Sequence, residues 1–86
     1  MHEEQIFGKI LQEERKAKKI TQEKLAKLTG LDRTFISLIE NGKRSPTFST
    51  ILKICSALEI DPSELFLKFE SSNSGFKSKT GGKKIW

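Results

Sequence analysis

The sequence predicts an all-α fold of five short helices. Apolar residues recur at helical spacing in several segments, and the clearest stripe comprises Phe48, Ile51, Leu52, Cys55 and Leu58. Residues that favour helix starts and helix stops separate these segments, whereas no segment has the pattern of a convincing strand. At 86 residues, the chain has room for one small domain.

The first three helices follow from apolar spacing and from capping residues. Helix one is expected over about residues 3–18, with the apolar residues Ile6, Phe7, Ile10 and Leu11. Thr21 is a good N-cap for a second helix through about residue 29, and Gly30 is a natural stop. Asp32 can cap a third helix that runs to residue 41 and ends at Gly42.

The last two helices have equally clear starts. The segment GKRSP predicts a loop, after which Thr47 caps a fourth helix. Asp61, Pro62 and Glu64 then supply an acidic cap, a proline at the first helical position and a glutamate at the third. Beyond residue 70 the chain is rich in Ser, Gly and Lys. We therefore predict a folded domain over residues 1–70 and a disordered basic tail over residues 71–86.

The charge distribution is uneven. The chain carries 16 basic and 11 acidic side chains, a formal net charge of +5. The tail holds four lysines and no acidic residue, so the body is nearly neutral with local basic clusters. Both are compatible with a polyanionic partner. The tail can be a solubilising terminus or a phosphate-binding arm, and Ile85 and Trp86 suggest docking.

Several classes of site are not expected. Cys55 is the single cysteine, which excludes an internal disulfide, and together with His2 it does not make up a zinc site. Its place in an apolar stripe favours a small buried hydrophobe over a reactive thiol. We expect no metal, no cofactor and no enzymatic activity. A lone thiol, with no signal peptide and no bilayer-length apolar run, predicts a cytoplasmic chain that does not enter a membrane.

The connection between helices two and three is the short segment TGLD. A short, glycine-containing connection between two helices is typical of a helix-turn-helix. Ala26 is small enough for close crossing, and Gly30 can adopt the positive φ angle that the turn requires. Ile36 and Ile39 can then bury against Leu25 of the second helix.

The segment TQEKLAKLTGLDRTFISLIENGKRSP resembles the DNA-binding domain of Xre-type regulators, the Cro- and lambda-repressor-like helix-turn-helix proteins. The resemblance covers about residues 6–67 and includes Gln22, Leu25-Ala26, Gly30, Ile36, Glu40-Asn41-Gly42 and the ending IDPSELF. It implies a five-helix lambda-repressor-like domain whose helix-turn-helix is formed by helices two and three. The shorter run LDRTFIS is similar to the controller proteins of restriction–modification systems.

The resemblance also implies a structural ion pair. Its partners would be Arg15, near the end of the first helix, and Glu40, near the end of the third. The matching positions in relatives form a buried or semi-buried salt bridge. Without the resemblance, Arg15 would count as one cation on a charged, solvated face.

In such a domain the third helix enters the major groove of double-stranded DNA with its N-terminal residues at the base edges. Arg33 can donate two hydrogen bonds to guanine, and Thr34 can bond a base or pack its methyl group on thymine. Ser37 can reach a base or a phosphate. Phe35 and Leu38 are further candidates for base contacts, but each can equally lie at the edge of the core.

Phosphate contacts are expected to supply most of the affinity. Gln22 stands at the start of the second helix, where its amide, free backbone N–H groups and the helix dipole favour an anion. Lys43 and Arg44 follow the third helix in a loop that would lie along the DNA backbone. Asn41 has an equally good role at the helix end, and Thr47 is a cap first and a phosphate contact second.

Relatives double the DNA contact by dimerising, because one such domain recognises only a few base pairs. Helices four and five carry more apolar residues than one small core easily absorbs, which predicts a dimer interface. The candidate residues are Ile54, Ile60, Leu65, Phe66, Leu67 and Phe69.

Two functions remain open at this point. The first is a homodimeric transcriptional regulator on a near-palindromic operator, with autoregulatory control of a restriction–modification operon. The second is a protein-interaction module of the antitoxin or anti-repressor type with the same fold.

Overall fold

The computed structural model describes residues 3–72, which form five α-helices and contain no β-strand. The helices are α1 (Glu3–Ala17), α2 (Gln22–Thr29), α3 (Arg33–Glu40), α4 (Phe48–Leu58) and α5 (Pro62–Ser72). The predicted all-α architecture is therefore confirmed. The division at residue 70 stays a prediction, because residues 73–86 lie outside the described residues and α5 itself continues through residue 72.

The helix starts are capped as the sequence predicts. The caps Thr21, Asp32, Thr47 and Asp61 each accept a hydrogen bond from a first-turn backbone N–H, over 2.9 to 3.1 Å. Each bond satisfies one of the backbone donors that a helix start leaves without an intrahelical partner. These four side chains therefore set where four of the helices begin.

The end of α3 is a Schellman motif. The Lys43 N–H donates to the Leu38 carbonyl at 2.8 Å, and Gly42 adopts the left-handed conformation with a φ angle of 75°. α1 and α4 end in the same pattern of backbone bonds, with Lys19 and Glu59 in the left-handed position at φ angles of 61° and 57°. Of these three helix ends, only the end of α3 has glycine in the left-handed position, and there the chain also makes a close contact with α1.

That contact fixes the carboxyl end of α3 against α1. A Cβ on Gly8 would lie 2.2 Å from the Ile39 carbonyl oxygen, so a larger residue in α1 would force the two helices apart. A Cβ on Gly42 would lie 2.8 Å from the Gln5 Cα atom. The role of Gly8 cannot be predicted from the sequence, because a glycine inside a helical pattern gives no sign of what its backbone contacts.

Every helix contributes to one apolar core. Its most deeply buried side chains are Leu11, Leu25, Ile36, Ile39, Ile54, Cys55, Leu58 and Leu65. α3 packs against both α1 and α2, so the helix-turn-helix is held from two sides. Burial raises the pKa of the Cys55 thiol, and the negative charge of Asp61 adds to this effect. Cys55 is the small buried hydrophobe that its position in the sequence predicts.

Two of the predicted interface residues are instead core residues. Ile54 and Leu65 are each only 1% exposed, so neither can contact a second copy. α4 packs against both α2 and α5, and its buried arc is rotated about the helix axis from the predicted stripe towards Ile54. Conversely, Phe48 and Leu52 of the apolar stripe are 67% and 41% exposed.

Candidate nucleic-acid interface

Residues 30–32 turn the chain from α2 into α3. Gly30 has a φ angle of 77°, and its N–H donates to the Ala26 carbonyl at 2.8 Å. The Thr29 hydroxyl donates to the Leu25 carbonyl at 2.7 Å and accepts the Leu31 N–H at 3.2 Å. These local bonds fix the turn of the helix-turn-helix, with Gly30 in the conformation predicted for it.

α3 has one buried face and one exposed face. Ile36 and Ile39 have no solvent exposure, whereas Arg33 and Thr34 in the first turn are exposed and Ser37 is half-buried. Asp32 caps this turn, so the exposed guanidinium and hydroxyl groups stand on a fixed backbone. A guanidinium and a hydroxyl together offer the donors and acceptors that base edges require.

Asn41 lies at the carboxyl end of α3 and makes two hydrogen bonds to Ser37 on the exposed face. Its side-chain amide donates to the Ser37 hydroxyl at 3.4 Å, and its backbone N–H donates to the Ser37 carbonyl at 3.0 Å. Asn41 is also the C-cap residue of α3. Asn41 therefore has the predicted role at the helix end, and its amide also bonds the Ser37 hydroxyl, which is a candidate DNA contact.

Phe35 lies at the edge of the core. The ring is half-buried and packs against the core cluster, while the Arg44 Cζ atom lies over it, 5.6 Å from the ring centroid. This distance is within the range of a cation–π interaction. Leu38 is likewise half-buried. Neither side chain stands free at the surface as Arg33 does.

Behind the exposed face lies the ion pair that the resemblance implies. Arg15 Nε donates to Glu40 Oε2 at 2.6 Å, and Arg15 Nη2 donates to Glu40 Oε1 at 3.1 Å. The third nitrogen, Nη1, donates to the Ile20 carbonyl at 2.7 Å. Among residues 3–72, no buried side-chain nitrogen or oxygen lacks a hydrogen-bond partner. The buried charges are therefore paired, and each nitrogen and oxygen of the two charged groups has a hydrogen-bond partner.

Gln22 has a partner that the sequence did not reveal. Its side-chain Nε2 donates to Glu40 Oε1 at 3.0 Å, so one of its two N–H donors is already engaged. The sequence predicts that Gln22 offers its whole amide to a phosphate, but one N–H is bonded to Glu40. The second N–H of the half-buried side chain is still available for a phosphate contact. No local pattern could indicate this bond, because it joins two residues that are 18 positions apart.

The loop after α3 carries the exposed cations Lys43 and Arg44. The Ser45 hydroxyl donates to the Glu4 carboxylate at 3.1 Å and so ties the loop to the start of α1. Thr47, which follows, caps α4 through its hydroxyl oxygen. The contact of Arg44 with Phe35 places this loop beside the first turn of α3.

Residues 3–72 include no group of three or more His, Cys, Asp or Glu side chains that could hold a metal ion. Over the same residues, none of the helices combines the length and the apolar character needed to cross a membrane.

Known proteins share this arrangement. A helix-turn-helix family model matches residues 11–65. The control protein C.MunI from a Mycoplasma species is 45% identical over 65 residues, which make up 74% of this chain and 88% of the relative.

Solved structures give the same result. The restriction-modification controller protein C.AhdI from Aeromonas hydrophila superposes with a TM-score of 0.71 and 46% identity, covering 73% of this chain and 96% of that one. The controller protein C.Esp1396I, a tetramer in complex with its natural 35 base-pair operator, has a TM-score of 0.76 and 30% identity, covering 83% and 93%. The chain therefore belongs to the Xre-type helix-turn-helix family, within which it is similar to the control proteins of restriction–modification systems.

Proposed function

We propose that the chain is a sequence-specific DNA-binding transcription regulator, which acts as a homodimer on a near-palindromic operator. The observation that carries the proposal is the division of α3 into a fully buried face and an exposed first turn with Arg33 and Thr34. A helix held in this way can enter the major groove and present its N-terminal side chains to base edges.

The roles of the exposed residues follow from their chemistry. Arg33 reads guanine through two parallel hydrogen bonds, while Thr34 and Ser37 bond neighbouring bases or a phosphate. Lys43 and the second N–H of Gln22 bind the DNA backbone, which supplies affinity without sequence information. Asn41 and Thr47 act mainly through the α3 and α4 termini that they cap. The proposal involves no catalytic step.

The dimer surface in this proposal lies on α5 and the residues before it. Phe66 is 42% exposed, and Ile60 and Phe69 are half-buried, so together they offer apolar area next to the core. Two copies related by a two-fold axis would place their recognition helices about 34–36 Å apart, one turn of DNA. This spacing predicts an operator with two similar half-sites.

The similarity to restriction–modification control proteins supports a finer proposal. We infer that the chain controls a restriction–modification operon that includes its own gene, and that it acts in the cytoplasm, where that operon lies. The genes beside its own give the first test, since they should encode a restriction endonuclease and a methyltransferase.

The central experiment is selection of bound sequences from a random DNA pool, followed by gel-shift titration at rising salt. We expect a two-fold symmetric consensus that also occurs upstream of the gene. Binding that shows no preference over scrambled DNA at moderate salt would contradict the proposal. If the chain also co-purifies with a partner protein, that result would favour the interaction-module alternative.

A further inference from the structure

We propose that Phe35 is a positioning residue, whose ring holds the Arg44 guanidinium beside the base-reading turn of α3. The Arg44 guanidinium would then bind DNA in an orientation that is already set in the free protein. Phe35 acts through Arg44 and makes no base contact of its own. This inference rests on the proposed DNA-binding function and assigns a role to a ring that the function does not otherwise use.

The ring itself is well fixed. Phe35 is half-buried against the core, and its neighbour Ile36 has no solvent exposure, so the backbone beneath the ring is anchored. The Arg44 Cζ atom lies over the ring at 5.6 Å from the centroid. An aromatic face attracts a cation at this distance, and a planar guanidinium can stack on it while its N–H edge stays available.

The loop that carries Arg44 is held on both sides. The Lys43 N–H donates to the Leu38 carbonyl at 2.8 Å, and the Ser45 hydroxyl donates to Glu4 at 3.1 Å. Because Lys43 and Ser45 are both anchored, most of the remaining conformational freedom of Arg44 is in its side chain. A stack on Phe35 restricts that freedom before DNA arrives, which lowers the entropy lost on binding.

The charge of Arg44 and its stacking can be separated by substitution. Arg44→Lys keeps the positive charge but removes the planar group, and Phe35→Leu keeps an apolar side chain but removes the ring. Neither change alters the net charge, so the salt dependence of DNA binding should stay the same. Because Phe35→Leu leaves the Arg44 cation itself unchanged, a loss of affinity in that variant reports on the orientation of Arg44.

The test is a double-mutant cycle on the selected operator, with Phe35→Leu, Arg44→Lys and the double variant. We expect each single variant to bind about twofold to fivefold more weakly. The double variant should bind no more weakly than the weaker single variant, because both changes remove one interaction. Additive losses would overturn the inference.

The matched control is Phe48→Leu, which removes an exposed ring from the start of α4. Its effect, whatever its size, should combine additively with that of Arg44→Lys. Coupling as strong as that of Phe35 would mean that the loss of a ring elsewhere on the surface also disturbs Arg44, and would overturn the specific role of Phe35.

A second measurement does not depend on DNA or on the behaviour of Phe35→Leu. In the free wild-type protein, the ring current of Phe35 should shift the NMR resonances of the Arg44 δ-protons upfield, and Arg44 resonances without such a shift would overturn the inference. A wild-type protein without operator preference contradicts the proposed function. Operator preference combined with an additive cycle contradicts only the role of Phe35.

Discussion

Arg15 and Glu40 form two hydrogen bonds that join the end of α1 to the end of α3. The Arg15 side chain is 9% exposed and the Glu40 side chain is fully buried, so solvent hardly screens the pair. Gln22 adds a third member from the start of α2. One charged cluster therefore sets the relative positions of three helices.

Removing Glu40 should consequently be severe. We expect Glu40→Ala to lower the free energy of unfolding by about 3–5 kcal/mol, because Arg15 is left as a buried charge without its partner. Urea denaturation followed by circular dichroism measures the change. The exposed pair of Lys68 with Glu14 is the control, and Lys68→Ala should lower the free energy of unfolding by less than about 1 kcal/mol. Similar losses for both variants would contradict the assigned role of the buried pair.

Two left-handed glycines should respond differently to alanine. Gly30→Ala meets no atom within 4 Å, so we expect only the backbone strain of about 1 to 2 kcal/mol. Gly42→Ala carries the same strain and also brings its Cβ within 2.8 Å of Gln5 Cα, so its loss of unfolding free energy should be larger. Thermal and urea unfolding of the two variants provide the comparison. Equal losses of unfolding free energy in the two variants would mean that α1 shifts at Gln5 at little cost and would contradict this prediction.

Measurements of DNA affinity should distinguish the residue proposed to read bases, Arg33, from the residue proposed to bind the DNA backbone, Lys43. We expect Arg33→Ala to lose about 1–3 kcal/mol of discrimination at one base pair, since a single guanine contact is removed. Lys43→Ala should weaken binding to every sequence alike and reduce the salt slope by about one. Titrations against the operator, its single-base variants and scrambled DNA measure both effects. Equal weakening on all sequences by Arg33→Ala would argue against base reading.

The dimer surface can be tested at Phe66. Phe66→Glu places a charge in the proposed apolar interface, so sedimentation equilibrium should show a shift from dimer to monomer. Phe48→Glu makes the same chemical change at another exposed phenylalanine and should leave the dimer intact. Dissociation by the second variant but not the first would move the interface to the start of α4.

Acid should weaken the start of α5. Hydrogen bonds from the backbone N–H and the hydroxyl of Ser63 hold the pKa of the Asp61 carboxyl below its usual range. A lowered pKa contributes stability that is complete above the pKa of the unfolded chain and is lost as the pH falls through the lower, folded value. Asp61→Asn keeps an acceptor oxygen without the charge. Its deficit against the wild type should therefore be constant near neutral pH and shrink in acid, and a deficit that does not change with pH would refute this account.

The helix boundaries and much of the core could be predicted because their causes are local. The side chains of Thr21, Asp32 and Thr47 cap backbone groups two or three residues away, so the chain itself carries the information. The spacing of apolar residues likewise indicates a buried helix face. It does not indicate how the buried arc is rotated about the helix axis, so apolar spacing alone cannot separate the core residues Ile54 and Leu65 from a dimer interface.

The contacts between elements could not be predicted in the same way. The bond of Gln22 to Glu40 and the stack of Arg44 on Phe35 each join side chains from separate segments. Their existence depends on how α2, α3 and the following loop are placed, and no periodicity records that placement. The Arg15–Glu40 pair can be predicted only from the resemblance, which supplies both partners.

The split of α3 into a buried half and an exposed half has a consequence for how such regulators diversify. Ile36, Ile39 and Glu40 tie the helix to the rest of the fold, whereas Arg33 and Thr34 are in solvent. Under the proposed base-reading role, exchanges at these two exposed positions would redirect the protein to a new operator while leaving its stability nearly unchanged. Copies that differ only in this turn could regulate separate operons in one cell without interfering with one another.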